Sequence, residues 1–391
     1  MIRLRLKKGR ETSVERHHPW LFSGGIASEE GDGADGLAEV LDSQERVRAH
    51  GSYSPGSQIV ARLWTFDGRV PDRALLLERF EAARRLRESV LPPRTTGYRA
   101  VNSEGDLCPG ILLDIYGGVA VLDLLTGGVE KWEEDTVSAV NSVFHPEELL
   151  VRRTGSERDR GASKSEIRTS KSEIRLVPFF ENGLRFFADV ASGQKTGFFL
   201  DQRDNRMRLG ALSKGRTALN LFSYSGAFSV AALAGGAKRA VDVDSSEAAL
   251  DLAREHRRAN GLRAEEADFV RADVFDDLRR RASAEERWDI VVCDPPAFAK
   301  KRGDVAGAAR GYKEINRLAM SLVKPGGFLL TCSCSGHVDA DLFQKIVFSA
   351  ALDAGASFSI TARQGAGADH PVSLECPEGE YLKGLWLSRA I

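Results

Sequence analysis

Nowhere in the 391 residues does an apolar run approach the ~20 residues that a bilayer-spanning helix needs. No apolar stretch of signal-peptide type follows the basic residues near the start. A helical membrane protein is excluded, and a cytoplasmic location is the expectation. Cysteine is scarce: five, an odd number without the spacing of a disulfide framework, which suits reduced thiols. Cys332 and Cys334 form a C-x-C pair with no second pair or nearby histidine cluster to complete a zinc site, so no metal is expected. Net charge is missing too, because 55 basic and 56 acidic residues leave −1. Any nucleic-acid surface must therefore be local. One such patch lies in the first twenty positions, where Arg3, Arg5, Lys7, Lys8, Arg10 and Arg16 outnumber Glu11 and Glu15. A solvated edge strand explains the same charges equally well.

What is present is enough apolar residue, 42%, for two or three domains with cores of their own. Residues 1–75 read as short alternating segments such as Ile2-Arg3-Leu4-Arg5-Leu6, broken by Gly and Pro, which predicts a small β-barrel. From Asp72 to Ser89 the period becomes helical, with Leu75, Leu76, Phe80, Ala83 and Leu86 on one face, and Pro92-Pro93 ends the helix. Two strand-like stretches, 111–116 and 119–125, meet at Gly117-Gly118, a hairpin signal. A helix over 132–144 and a strand over 148–152 complete an α+β middle domain, taken as 76–185. Inside it Ser163-Lys164-Ser165-Glu166-Ile167-Arg168 recurs as 170–175, too short and charged to carry a core, and reads as a mobile surface insertion. The third domain, 186–391, alternates strands (218–222, 239–243, 269–272, 289–292, 327–331) with helices, which predicts α/β architecture with a doubly wound, Rossmann-like sheet.

Two strand ends in that half stand out. Trp288-Asp289-Ile290-Val291-Val292-Cys293 runs into Asp294-Pro295-Pro296-Ala297-Phe298, and Leu329-Leu330-Thr331-Cys332-Ser333-Cys334 stops at a thiol. An acid, a stiff turn, an aromatic and a sulfur at the rim of a sheet suit a flat base and a nucleophile.

The first strand of the sheet leads into Phe222-Ser223-Tyr224-Ser225-Gly226. A nicotinamide enzyme needs G-x-G-x-x-G in that turn so that backbone can approach a pyrophosphate, and one glycine of that set is present. S-adenosylmethionine, which has no phosphates, fits the turn better. The second strand ends in Asp244-Ser245-Ser246, where an acid can accept from both ribose hydroxyls or cap the next helix. At the third strand end Asp273, beside the apolar Val274, is placed to accept the adenine amine or, again, to cap a helix.

With these motifs in order, the chain resembles the RlmI-type class I methyltransferases, which make 5-methylcytosine in large-subunit ribosomal RNA. The segments that carry the resemblance are Asn220 to Gly226, Val243 to Ser246, Arg271-Ala272-Asp273, Asp294 to Phe298 and Thr331 to Ser335. Gly193 to Arg203 matches a segment specific to that family, which implies cofactor contacts for Gln202 and Arg203. His17-His18-Pro19-Trp20-Leu21-Phe22 is similar to its N-terminal PUA-type RNA-binding barrel, and Gly105 to Gly110 to its middle domain. The resemblance implies S-adenosylmethionine as cofactor, 23S ribosomal RNA or a pre-ribosomal particle as partner, and possible homodimers.

Carbon 5 of cytosine is a poor nucleophile until a thiolate adds at carbon 6 and pushes electron density to it. Cys334 is the candidate, and it falls on the family's catalytic position; Cys332 is expected in or near the core. Asp294 would grip the cytosine edge, with Pro295 stiffening its turn, Phe298 stacking on the base, and Lys300 opening a basic loop to Lys313 for phosphates. Ala297 stands where better-known 5-methylcytosine enzymes carry a second cysteine, so the acceptor of the carbon-5 proton is unassigned. Two rivals stay open at this point: transfer to a base amine or ring nitrogen, and a non-catalytic RNA-binding factor on the same fold. His370 reads equally as a substrate contact or a structural residue.

Overall fold

Residues 1–154, 166–168, 176–191, 193, 195–299 and 301–391 are described by the computed structural model. They form two compact units: residues 1–179 with 188–200 and 368–379, and residues 180–187 with 201–367 and 380–391. No helix among the described residues is long and apolar enough to cross a membrane.

In the first unit, β1 (Ile2–Leu6), β2 (Trp20–Phe22), β3 (Ile26–Glu30), β4 (Leu37–Leu41), β5 (Val47–Tyr53) and β6 (Ile59–Thr65) form one sheet in the order β2-β6-β5-β4-β1-β3. The alternation of β1 buries Ile2, Leu4 and Leu6 and turns its arginines outward. Arg3 pairs with Glu39 and Arg5 with Glu45, so part of the N-terminal charge is met locally. β1 lies between β3 and β4 and is not an edge strand. The helix Arg73–Val90 begins where Asp72 accepts from the Leu75 N–H, and buries Leu75, Leu76, Phe80 and Ala83.

That face packs with a second sheet, β7 (Gly97–Asn102), β8 (Ile111–Tyr116), β9 (Val119–Leu124), β10 (Glu148–Arg153) and β11 (Glu166–Arg168), ordered β11-β10-β9-β8-β7. The β8–β9 hairpin turns at Gly117, whose φ of +60° suits glycine. Most of the repeated segment lies outside the described residues, but residues 166–168 add an edge strand antiparallel to β10. β12 (Leu176–Glu181) and β13 (Leu184–Asp189) make a two-stranded ribbon.

The second unit holds seven strands: β14 (Thr217–Leu221), β15 (Arg239–Asp244), β16 (Phe269–Arg271), β17 (Trp288–Cys293), β18 (Val323–Ser333), β19 (Phe358–Gln364) and β20 (Lys383–Arg389). Their order is β16-β15-β14-β17-β18-β20-β19, parallel from β16 to β18, with β20 antiparallel between β18 and β19. Near-continuous apolar runs mark β14, β17 and the second half of β18, as expected of strands covered on both faces. The strand order reverses between β14 and β17, and there the C-terminal strand ends open a crevice.

Candidate active site

The turn after β14 is strained. Phe222, Tyr224 and Gly226 have φ of 55°, 47° and 68°, so two non-glycine residues in five take the left-handed conformation. Strain of this kind costs about 1–3 kcal/mol per residue and persists where the surroundings impose it. Here the Ser223 N–H donates to Val243 O and the Gly226 N–H to Ser223 O, while the Tyr224 N–H donates to Asp244 Oδ2 at 2.8 Å. Gly226 is required by packing as well, because a Cβ there would meet the Ala253 Cβ at 2.6 Å.

Asp244 also accepts the Ser246 N–H through Oδ1 at 2.9 Å. The next helix, Glu247–Ala259, is capped by Ser246 and not by Asp244. The carboxylate at the strand end is therefore free of capping duty and keeps a lone pair on each oxygen. Asp273 differs: its side chain accepts the Asp276 N–H and caps Val274–Ser283, so its local role is the helix end. Val274 is buried and Ser245 exposed.

Behind the turn stands His256, fully buried. Its Nε2 accepts the Phe187 N–H at 2.9 Å, which puts the proton on Nδ1 for donation to Ser225 O at 2.8 Å. Burial pulls its pKa down to about 4, so the ring is neutral. Ser223 Oγ is buried without a hydrogen-bond partner. That orphan hydroxyl, the strand-end carboxylate and a turn lacking a glycine-rich phosphate loop fit a cofactor with a ribose and an amino-acid moiety.

On the next strand, Asp294 follows β17 and its Oδ2 accepts from Gln202 Nε2 at 2.9 Å. Asn205 Nδ2 donates to Gln202 Oε1 at 2.7 Å, and Trp386 Nε1 to Asn205 Oδ1 at 2.8 Å. This relay fixes which end of each amide faces which way. Gln202 thus serves the Asp294 side, whereas its neighbour Arg203 is buried 3.8 Å from Glu181. These are the two residues for which the family segment implied cofactor contacts; in the structure Gln202 meets Asp294 and Arg203 meets Glu181.

β17 and β18 run parallel with Cys293 opposite Thr331, so Asp294 and Cys334 emerge from adjacent strand ends. Cys334 is half-buried, its Sγ 3.9 Å from Pro295 O. Cys293 and Cys332 are fully buried, and burial holds both thiols protonated. Below Cys334, Tyr312 Oη bonds Ser333 Oγ and Ser335 Oγ, each at 3.0 Å, and Ser335 Oγ accepts the Ala299 N–H. Lys383 Nζ donates to Ser335 O and Tyr381 O, each at 2.7 Å.

Phe298, the residue expected to stack on the base, is partly buried. Its ring packs on Tyr312, 4.6 Å between centroids, and against Phe275, so one face is taken up by protein. Pro295 is buried and Pro296 is the exposed member of the turn. Lys300 lies outside the described residues, and Lys313 pairs with Asp353. In the first unit His370 is buried with Nδ1 3.0 Å from Asp369 Oδ1. One cluster there, His18, Cys376 and Glu378, gathers metal-ligand types within 4.8 Å. His18 Nδ1 accepts the Trp20 N–H, which leaves the proton on Nε2 facing Glu378 and makes this a hydrogen-bonded pair. The partners of Gln202 and Lys383 escaped sequence reasoning, since nothing local to either residue announces a neighbour across 92 or 48 positions.

Residues 154–360 match the family profile described as S-adenosylmethionine-dependent methyltransferase, and residues 4–66 match a PUA-like domain. The chain is 42% identical over 394 aligned residues, covering 98% of both chains, to "Ribosomal RNA large subunit methyltransferase I" of Yersinia pseudotuberculosis, and equally to that of Yersinia pestis. Among solved structures it resembles a putative SAM-dependent methyltransferase from Streptococcus mutans (TM-score 0.85, 22% identity, 99% of this chain and 100% of that one). A putative methyltransferase complexed with SAH gives TM-score 0.86 at 23% identity, with the same coverage. At those identities the likeness concerns the fold.

Proposed function

This chain belongs to the S-adenosylmethionine-dependent methyltransferases, in the family of ribosomal RNA large subunit methyltransferase I, and we propose that it methylates carbon 5 of a cytosine in large-subunit (23S) ribosomal RNA through a Cys334 adduct. The observation that carries the reading is the pairing of Asp294 and Cys334 on adjacent strand ends beside the strained turn. Bound S-adenosylmethionine supplies an electrophilic methyl group.

The chain does the rest. Asp244 takes the ribose hydroxyls, Ser223 Oγ gains its missing partner, and Phe222, Tyr224, Ser225 and Gly226 shape the turn around the amino-acid end. Val274 walls the adenine, with Ser245 and Asp273 at the rim. Asp294, held by Gln202, presents its carboxylate to the exocyclic amine of the cytosine. Cys334 adds through Sγ to carbon 6, which makes carbon 5 nucleophilic, and leaves when the carbon-5 proton is lost. Pro296 supplies the exposed flat surface of the base pocket, with Pro295 and Phe298 beneath it. The PUA-like barrel, residues 1–75, recruits the RNA.

The test is direct. Cys334→Ala should abolish methyl transfer to ribosomal RNA and leave S-adenosylmethionine affinity, read by calorimetry, within about twofold. Full transfer in that variant would move the chemistry to a nitrogen, where no thiol is needed. A protein that fails to bind S-adenosylmethionine would be a non-catalytic factor.

A further inference from the structure

The pairing of β18 with β20 sets Ser333 opposite Lys383, so the lysine reaches the strand end that carries Cys334. Lys383 is buried, and its two bonds to Ser335 O and Tyr381 O tie the amine to the residue after Cys334. Among the described residues no carboxylate lies within 4.0 Å of Nζ in an ion pair. An ammonium so placed is costly unless a neighbour supplies the opposite charge. Burial pulls its proton affinity down, and the strongest charge acting to restore it is Cys334, ahead of Glu380 and Asp339. Two carbonyls use two N–H bonds; an ammonium has a third.

We infer that Lys383 is the positioning residue that activates Cys334, by accepting its proton and standing beside the resulting thiolate as its counter-ion. The S–H bond breaks, an N–H bond forms, and thiol plus amine become thiolate plus ammonium. Sulfur then has the electron pair that forms the bond to carbon 6, and recovers it when that bond breaks. Removal of the carbon-5 proton is a separate event. The other groups around the sulfur do not compete: the Cys332 thiol and the Tyr312 phenol are kept protonated by burial. Asp294, on the neighbouring strand end, opposes a thiolate, which makes the cation the more necessary. The inference rests on Cys334 as the nucleophile.

The experiment is the pH dependence of Cys334 alkylation by iodoacetamide in the full-length protein, read by mass spectrometry of the peptide that contains it. The wild-type midpoint should lie below the ordinary thiol value of about 8.5. In Lys383→Met it should rise by about one pH unit or more, with the rate at pH 7 falling about tenfold, and Lys383→Arg should restore much of the difference. A Lys383→Met midpoint equal to that of wild type, in protein that still binds S-adenosylmethionine, would overturn the inference. Should the methionine variant not fold, a wild-type midpoint at or above about 8.5 overturns it alone. Neither result touches the nucleophile reading, which fails separately if Cys334→Ala keeps full transfer.

Discussion

Gln202 Nε2 donates to Asp294 Oδ2 at 2.9 Å across 92 positions of chain, and the amide cannot flip because Asn205 holds its oxygen and Trp386 holds Asn205. The pairing orients the Asp294 carboxylate at the end of β17. Gln202→Leu should therefore lower kcat by roughly tenfold to a hundredfold, the worth of one bond to a charged group, with S-adenosylmethionine affinity nearly intact. Single-turnover methylation beside calorimetry checks it; a matching loss of cofactor affinity would place Gln202 on the other side of the crevice.

Asp244 is the strand-end acid that does not cap its helix. Asp244→Asn should weaken S-adenosylmethionine binding by roughly tenfold to a hundredfold, because charge-assisted bonds to ribose hydroxyls become neutral ones. Titration calorimetry reads this, and an unchanged dissociation constant would leave Asp244 as a support for the Tyr224 and Ser246 backbone only.

His256 ties the ribbon residue Phe187 to the turn after β14 as a neutral ring. Its folded pKa of about 4 lies below the unfolded value near 6.5. The unfolded chain binds the extra proton between those values, so the contribution is complete above about pH 6.5 and is lost as pH falls toward 4. The full loss is on the order of 3 kcal/mol. Urea unfolding at pH 7 and pH 5 should show a drop in wild type that is smaller in His256→Gln; equal drops would remove His256 from the account.

Lys8, Arg10 and Arg16 are exposed in the segment that follows the first strand of the PUA-like sheet, while Arg3 and Arg5 are spent on Glu39 and Glu45. Replacing the three exposed residues by Gln should flatten the salt dependence of RNA binding by about two to three units of slope and leave cofactor affinity alone. An unchanged slope would make this sheet a packing element.

For Asp244 the sequence left ribose contact and helix capping both open, and the geometry shows Ser246 taking the cap. Cys334 was singled out over Cys332 by the family pattern, since alternation places residues two apart on one face, and in the structure Cys332 is buried and Cys334 half-buried. The β8–β9 hairpin followed from two adjacent glycines. The contact of Phe298 with Tyr312 was not legible, because Tyr312 sits on a helix whose rotation no local pattern reveals. Gln202 and Lys383 were unreadable in role for the same reason: each acts through a single contact made at long range, after the sheet has assembled. Residues 1–75 read cleanly as alternating strands, but alternation does not say which strand takes the edge.

The central claim is a bond between one sulfur and carbon 6 of a cytosine. Incubating the protein and S-adenosylmethionine with 23S ribosomal RNA transcribed with 5-fluorocytidine should trap that bond, since fluorine in place of the carbon-5 hydrogen blocks release of the thiol. Mass spectrometry of the digested complex should find the nucleotide on the peptide carrying Cys334. A nucleotide on any other cysteine, or methylated product released with no adduct, would contradict the account.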